Sequence, residues 1–221
     1  MLSAVIFDFD GIIVDSEPMH FRAFNEVLNP IDMKISWEDY CETYIGFDDR
    51  DAFREAFAQN KRKFTEKEMK RLIAAKAEVF QSYIRNGDVT PLPGAVQLIK
   101  SIPVRLPVAL CSGALREDID PIIESLKIDG CFDQIVTAED TPKSKPDPAP
   151  YILTCEKLGI DDPATAVAIE DTPAGIMSAK GAGLKVLAVT NSYDRGYLME
   201  ADAVTDSLEH VSRPQLENLI V

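Results

Sequence analysis

The stretch AVIFDFDGIIVDS, residues 4–16, decides how this chain is expected to fold. Four apolar residues lead directly into Asp8, and a second acid, Asp10, stands two residues later in front of a glycine. A short run that is apolar throughout is typical of a strand buried on both faces of a parallel sheet. The stretch therefore predicts a buried strand, residues 4–8, that runs into an acidic loop.

Similar short runs, rich in β-branched residues, recur along the chain and predict further buried strands. They cover residues 107–111, 134–137, 166–170 and 186–190. Helical patterns separate them at residues 95–101, 117–126, 149–158 and 174–182. Strands that alternate with helices indicate a doubly wound α/β fold built on a parallel sheet.

One segment, residues 16–89, breaks this alternation and contains no convincing strand. Its apolar spacing is helical, and Thr65 with Glu68 fits a capping box at the start of a helix. The turn-rich junction PLPG at 91–94 closes the segment. We therefore expect an all-helical insert after the first strand, and a discontinuous α/β core made of residues 1–15 and 90–221.

Composition and charge restrict the partners of this chain. Its 221 residues are 46% apolar, which is enough for a substantial core. The net charge of -14 argues against a nucleic acid or an anionic membrane as partner. We expect a small-molecule partner, and an anionic substrate would need local positive charge that a bound cation can supply.

The chain shows no signal for a membrane or for an oxidising compartment. No apolar run reaches the roughly 18 residues of a membrane helix, and the N-terminal stretch MLSAVIFDFD lacks the basic start of a signal peptide. The four cysteines are scattered without a C-x-x-C pair, which favours free thiols in a reducing cytoplasm over a zinc site. Without a coiled-coil pattern or an extended apolar surface, we expect a cytoplasmic monomer.

Polar side chains that can bind ligands or take part in a reaction follow the predicted strands at the points where the strands end. Ligands of open parallel sheets bind beyond these carboxyl ends. Four carboxylates, a hydroxyl and an ammonium group are therefore expected at one edge of the sheet. They belong to Asp8, Asp10, Ser112, Lys145, Glu170 and Asp171.

The carboxylates at this edge point to a metal ion. Acids brought together in this way repel one another unless a cation lies between them. Oxygen ligands without histidine or cysteine favour Mg²⁺ over zinc. Asp8 taken alone is also explained as a helix cap or a solvated loop residue, and a structural calcium site is the other alternative. The acids do not repeat as in an EF-hand, and a lysine shares their edge.

Two further segments are candidates for holding a phosphate. Ser112, Gly113 and Ala114 lie between a strand and a helix, where a hydroxyl and backbone N–H groups can bind an anion, although serine is also a common helix cap. Lys145, followed by a proline-stiffened backbone, can neutralise both a phosphate and an attacking carboxylate, or is a surface lysine. Thr172 and the proline after it predict the start of the next helix.

The quoted segments DFDGIIVDS, CSGA, KSKPDP and IEDTPAGIMSAKGAG resemble the four motifs of the haloacid dehalogenase superfamily. They occur in the family's order and spacing and span essentially the whole chain. The helical insert is similar to the small helical cap of the β-phosphoglucomutase-like and phosphoglycolate-phosphatase-like branch. This resemblance implies a Rossmann-like core and a two-step phosphoryl transfer.

The resemblance also implies roles for individual residues. Asp8 would be the nucleophile that forms an aspartyl phosphate, and Asp10 the general acid and then the base for water. Ser112 and Lys145 would hold and neutralise the transferring oxygens. The implied Mg²⁺ ligands are Asp8, the main-chain carbonyl of Asp10, Glu170 and Asp171. The implied phosphate-binding backbone positions are Gly11, Gly113 and Ala114.

Substrate selection is assigned to the insert. His20 shares a face with apolar residues and matches a position that mutases of the family use, or is simply a packed residue. Lys76 falls within an apolar helical stripe, so it either extends to solvent or meets an anion. Gly46 and Arg50 lie in IGFDDRDAF, which resembles the family's specificity loop, although Arg50 also fits a surface arginine.

These features lead to a hypothesis for function. Asp10 is absent from branches of the superfamily that cleave carbon–halogen or carbon–phosphorus bonds, so its presence favours phosphate esters. We expect a Mg²⁺-dependent phosphatase acting on a sugar phosphate or on phosphoglycolate. The alternative is a β-phosphoglucomutase, whose arginine usually lies one residue closer to the glycine than Arg50 does here. A non-catalytic Mg²⁺- or phosphate-binding module is a further alternative.

Overall fold

The computed structural model describes residues 1–44, 47 and 49–220. The chain divides into two compact units. One unit consists of Met1–Asp15 and Thr90–Val221, and the other of Ser16–Val89.

A parallel sheet forms the centre of the first unit, and six strands belong to it in the described part of the chain. They are β1 (Ala4–Phe7), β2 (Val108–Cys111), β3 (Gln134–Val136), β4 (Ala166–Glu170), β5 (Lys185–Val189) and β6 (Ala203–Thr205). Their order across the sheet is β3-β2-β1-β4-β5-β6, and all neighbours are parallel. This order places the reversal of winding at β1, as in a Rossmann-type sheet. The predicted α/β fold class is confirmed.

The second unit is helical, and its described residues contain no strand. Its helices are α1 (Glu17–Leu28), α2 (Trp37–Asp39), α3 (Asp49–Gln59) and α4 (Glu66–Arg85). A π-helical turn, Tyr40–Tyr44, follows α2. The capping box predicted for α4 is present, because the Thr65 and Glu68 side chains each bond the other's backbone N–H.

In the described part of the first unit, four α-helices precede or connect its strands, and a fifth follows the last strand. They are α5 (Ala95–Ser101), α6 (Arg116–Ser125), α7 (Ala149–Leu158), α8 (Pro173–Gly181) and α9 (Arg213–Asn218). Thr172 caps α8 as predicted, because its hydroxyl accepts a hydrogen bond from the Gly175 N–H at 3.0 Å. The predicted strands and helices lie within about one residue of the observed ones. Strand β6 was not predicted, because its three half-buried residues give no apolar run.

The core of the first unit explains why these short runs are strands. Every residue of β1, β2 and β4 is buried, as expected for strands covered on both faces.

Across the described residues, no helix combines the length and apolar character that crossing a bilayer requires. The four cysteines are free thiols.

Candidate active site

The site begins where β1 and β4 end side by side. Phe7 is paired with Ile169 in the sheet register, and the Asp8 N–H donates to the Ile169 carbonyl at 3.0 Å. Asp8, the first residue after β1, and Glu170, the last residue of β4, therefore lie at the same edge of the sheet. This is also the point at which the strand order reverses, where ligands of such sheets bind.

Three acidic side chains meet at this edge. Asp8, Glu170 and Asp171 each present an oxygen that lies within 4.8 Å of the other two. Glu170 and Asp171 are almost wholly buried, at 0% and 1% exposure. Burial, followed by the charge of Glu170, raises the pKa of Asp8 to about 7 against the opposing effect of Lys145. Burial and the neighbouring acids raise the pKa of Asp171 well above its usual value.

Lys145 supplies the positive charge within this cluster. Its Nζ donates to Asp8 Oδ1 at 2.8 Å, to Glu170 Oε1 at 2.6 Å and to the Cys111 carbonyl at 2.9 Å. Although burial disfavours its charged form, Asp8 and Glu170 raise the pKa of Lys145, which keeps it protonated. One ammonium group therefore balances only one of three buried carboxylates.

The cluster fits a divalent cation that prefers oxygen ligands. Asp171 Oδ1 is the one buried side-chain oxygen or nitrogen without a hydrogen-bond partner in the described ranges. A buried carboxylate oxygen without a donor is costly, and a bound cation would satisfy it. The three side chains offer carboxylate oxygens alone, which suits Mg²⁺ rather than zinc.

The loop after β1 shapes the same edge. Asp10 is half-buried, and its charge contributes to raising the pKa of Asp8, although its side chain is not part of the acidic cluster formed by the described residues. Gly11 adopts a left-handed φ of +73°, and a Cβ there would lie 1.8 Å from Asp171 Oδ2. Only glycine can occupy that position without displacing a member of the cluster.

The segment after β2 lies close to the sheet. Ser112 is buried, its N–H donates to the Val136 carbonyl at 2.9 Å, and its hydroxyl accepts from the Ala114 N–H at 2.9 Å. Helix α6 begins only at Arg116, so Ser112 does not cap it, and the Ala114 N–H is engaged within the turn itself. A Cβ at Gly113 would meet none of the described residues within 4 Å.

Several residues around Glu170 were not predicted. The Tyr151 hydroxyl donates to Glu170 Oε1 at 2.7 Å, and the Tyr151 ring lies 5.0 Å from Lys145 Nζ. A Cβ at Gly175 would lie 1.9 Å from Glu170 Oε2, so this glycine makes room for the carboxylate. Tyr151 gave no signal because a tyrosine in an apolar helix reads as core, whereas Gly175 stood within a quoted motif.

Residues after β5 also reach the cluster and were not predicted. The Ser192 hydroxyl donates to Asp171 Oδ2, and the Asn191 side chain donates to the Gly11 carbonyl at 2.6 Å. Both residues lie in an ordinary polar turn, TNSYD, whose composition does not distinguish it from other loops.

The helical unit contains a buried charged cluster of its own. Lys76 is 3% exposed, and its Nζ contacts Asp49 Oδ1 at 2.7 Å and His20 Nδ1 at 2.6 Å. Lys76 therefore meets an anion, which Asp49 of the same unit supplies, rather than extending to solvent. The His20 ring is stacked on Phe80 with centroids 4.2 Å apart. Burial, followed by the charge of Lys76, lowers the pKa of His20 well below its usual value, so its ring is neutral.

The insert holds two further candidates, Arg50 and Gly46, and the structure describes only the first of them. Arg50 is exposed on the first turn of α3. Gly46 lies outside the described residues, so its predicted role is not addressed by the structure.

The chain is similar to known proteins both in its sequence and in its fold. Residues 5–189 match the family model of the haloacid dehalogenase-like hydrolases. The protein CbbY of Rhodobacter capsulatus is 32% identical over 206 residues, which cover 88% of each chain. The phosphorylated carbohydrates phosphatase of Thermotoga maritima is 30% identical over 209 residues, covering 92% of this chain and 93% of the relative. The crystal structure of β-phosphoglucomutase from Clostridium difficile superposes with a TM-score of 0.83 at 24% identity, covering 100% of this chain and 97% of that one.

Proposed function

The chain belongs to the haloacid dehalogenase-like hydrolase family, and from this membership we propose that it is a Mg²⁺-dependent phosphatase of small phosphorylated sugars. The reaction class is phosphoric monoester hydrolysis, which agrees with the relatives that are named as phosphatases. The observation that carries the proposal is the buried acidic cluster of Asp8, Glu170 and Asp171, in which Lys145 is the cation and one carboxylate oxygen is left without a donor.

The first chemical step is assigned to Asp8. One of its carboxylate oxygens attacks the phosphorus, the bond between phosphorus and the sugar oxygen breaks, and an aspartyl phosphate forms. Asp10 gives its proton to the departing sugar oxygen, so that a neutral alcohol leaves. Lys145 already donates to Asp8 and thus offsets the negative charge that gathers as carboxylate and phosphate approach.

The second step regenerates Asp8. Asp10, now a carboxylate, takes a proton from water, and the water oxygen bonds to phosphorus while the bond between phosphorus and Asp8 breaks. The products are inorganic phosphate and the free Asp8 carboxylate. The hydroxyl of Ser112 is proposed to hold a phosphoryl oxygen in both steps.

The residues assigned to Mg²⁺ are Asp8, Glu170 and Asp171, together with the main-chain carbonyl of Asp10. When bound, the ion would supply Lewis-acid charge stabilisation for the phosphoryl oxygens. We assign substrate selection to the helical unit, with His20, Gly46 and Arg50 as candidate contacts. Lys76 is left out of this set, because Asp49 and His20 already engage its Nζ. Gly113 is the candidate phosphate-binding position of the core, because the N–H groups of Gly11 and Ala114 already donate to Val14 and to Ser112.

The proposal is tested by measuring phosphate release from a panel of sugar phosphates and phosphoglycolate, with Mg²⁺ or with excess chelator. Asp8→Asn should lower turnover at least roughly 1,000-fold, because the amide is not a nucleophile. It should fold normally, since it removes a charge from an overcrowded cluster. Asp161→Asn, a change at an exposed acid, is the matched control and should retain wild-type turnover.

Two outcomes of this experiment contradict the proposal. Full activity after thorough removal of metal would exclude the Mg²⁺ assignment, and unchanged turnover by Asp8→Asn would exclude the aspartyl phosphate. A mutase is separated from a phosphatase by incubation with β-glucose 1-phosphate and a bisphosphate primer. Formation of glucose 6-phosphate without release of phosphate would assign the chain to the mutases.

A further inference from the structure

The turn that follows β5 contributes two side chains to the edge of the sheet that carries the acidic cluster. Asn191 and Ser192 lie just beyond Val189, the last residue of β5. Strand β5 pairs in parallel with β4, and Ala188 is the partner of Glu170 in the register. The turn after β5 therefore leaves the sheet beside the residue that follows Glu170, which is Asp171.

Ser192 contacts one of the two oxygens of Asp171. Its hydroxyl donates to Asp171 Oδ2, whereas Asp171 Oδ1 is buried and has no hydrogen-bond partner among the described residues. The two oxygens of this carboxylate are therefore in different situations. One is fixed by a donor from the protein, and the other remains available to a ligand.

The packing around Asp171 is tight enough for this hydrogen bond to set its orientation. A Cβ at Gly11 would lie 1.8 Å from Asp171 Oδ2 and 2.8 Å from the Ser192 hydroxyl. Asn191 fixes the same loop from the other side, because its side chain donates to the Gly11 carbonyl at 2.6 Å. Oδ2 is thus enclosed between Gly11 and Ser192, so rotation of the carboxylate is restricted.

We propose that Ser192 is a positioning residue for the metal site, which holds Asp171 so that Oδ1 faces the bound Mg²⁺. The inference rests on the proposed function, because it assumes that Asp171 binds the ion. Hydrogen bonds to a ligating carboxylate fix its orientation, and their loss typically weakens metal affinity about 10- to 100-fold. Ser192 itself does not take part in the chemical steps.

The test is isothermal titration of the full-length, metal-stripped protein with Mg²⁺ alone, without substrate. Ser192→Ala should weaken Mg²⁺ affinity at least about 10-fold, whereas Ser192→Thr keeps the hydroxyl and should restore most of it. Ser101→Ala is the matched control, since that hydroxyl donates to Leu98 within its own helix and should leave affinity unchanged. Far-ultraviolet circular dichroism of each variant checks that the fold is retained.

The outcomes separate this inference from the proposed function. Wild-type affinity in Ser192→Ala, or tighter binding, would overturn the positioning role while leaving the metal site intact. Weakened binding that Ser192→Thr does not restore would also overturn it, since the loss would then not depend on the hydroxyl. An absence of Mg²⁺ binding by the wild-type protein would overturn both proposals together.

Discussion

Lys145 is the residue on which the balance of charge in the acidic cluster depends. Lys145 donates hydrogen bonds to Asp8 and Glu170. Among the described residues, it donates none to Asp171. Two carboxylates whose oxygens lie within 4.8 Å of each other repel by at least about 3.5 kcal/mol at an effective dielectric constant of about 20. That repulsion adds to burial, which is the larger cause, in raising the pKa values of Asp8 and Asp171 in the metal-free protein. It also gives the cluster its affinity for a cation.

The ionisation of His20 in the helical unit depends on its burial and on its contact with Lys76. Lys76 Nζ is a donor without acceptor capacity, so His20 Nδ1 accepts from it and the ring proton lies on Nε2. A proton added to this ring would place two positive charges 2.6 Å apart in a buried position. Burial and Lys76 therefore hold the pKa of His20 well below 6.5.

This lowered pKa predicts a loss of stability in mild acid. Unfolded His20 binds a proton below about pH 6.5, whereas the folded ring stays neutral, so the unfolded state holds more protons there. The free energy of unfolding should fall as pH drops through that value, by up to about 1.4 kcal/mol per pH unit from this group. Urea unfolding between about pH 5 and pH 7.5 measures it.

His20→Gln isolates the contribution, because it keeps an acceptor for Lys76 but cannot be protonated. The difference in slope between the wild type and His20→Gln is the quantity to compare, since the opposite contribution of Asp8 is present in both. His210→Gln is the control, and it should retain the wild-type slope because it leaves the buried His20 in place. Equal slopes for all three proteins would show that His20 is protonated in the folded state.

Helix α4 shows how one element links a local sequence signal to a tertiary cluster. Its capping box begins at Thr65, and Lys76 lies on its buried face with Met69, Phe80 and Ile84. The cap satisfies N–H groups that the helix itself leaves without acceptors. Because the cap fixes where α4 begins, it also fixes the position of Lys76 along the helix axis.

Loss of this cap should destabilise the helical unit by a measurable amount. Thr65→Ala is expected to lower the free energy of unfolding by about 1 kcal/mol, because the Glu68 N–H loses its acceptor. Chemical denaturation of the full chain is the measurement. Lys67→Ala, an exposed change in the same first turn, should stay within about 0.5 kcal/mol of wild type. If both variants gave the same value, the cap would contribute nothing to stability.

At the scale of the whole molecule, the unbalanced acidic cluster makes stability depend on metal. Mg²⁺ that binds the folded chain alone should raise the unfolding free energy by about 2.7 kcal/mol at 100 times its Kd. Thermal melting with Mg²⁺ and with chelator measures the difference as a shift in Tm. Potassium chloride at equal ionic strength serves as the control and should not reproduce the shift.

Asp171→Asn distinguishes a metal site from a general salt effect. Removal of one buried negative charge should make the metal-free variant more stable than the metal-free wild type, because repulsion by Asp8 and Glu170 is relieved. The same variant should lose most of the Mg²⁺-dependent rise in Tm. A variant that is less stable without metal and still responds fully to Mg²⁺ would contradict the excess of negative charge in the acidic cluster.

The sequence by itself determined the elements and the chemistry of their ends. Runs such as AVIF were recognisable as buried strands because each is apolar throughout, and Thr65 and Thr172 marked helix starts through local hydrogen bonding. The ends of the predicted strands in turn indicated which acids, which serine and which lysine lie at the edge of the sheet. Strand β6 escaped because a short, half-buried segment carries little periodicity.

Only the tertiary structure decided which of these groups touch. The pairing of β1 with β4 joins residues more than 160 positions apart and sets Asp8 beside Glu170. Helix α7 brings in Tyr151 and the turn after β5 brings in Asn191 and Ser192, residues whose types are common in cores and turns. The physical reason is that strand order and register arise from burial summed over the whole sheet. Local sequence encodes propensity and period, but it does not encode which distant carboxylate a hydroxyl will meet.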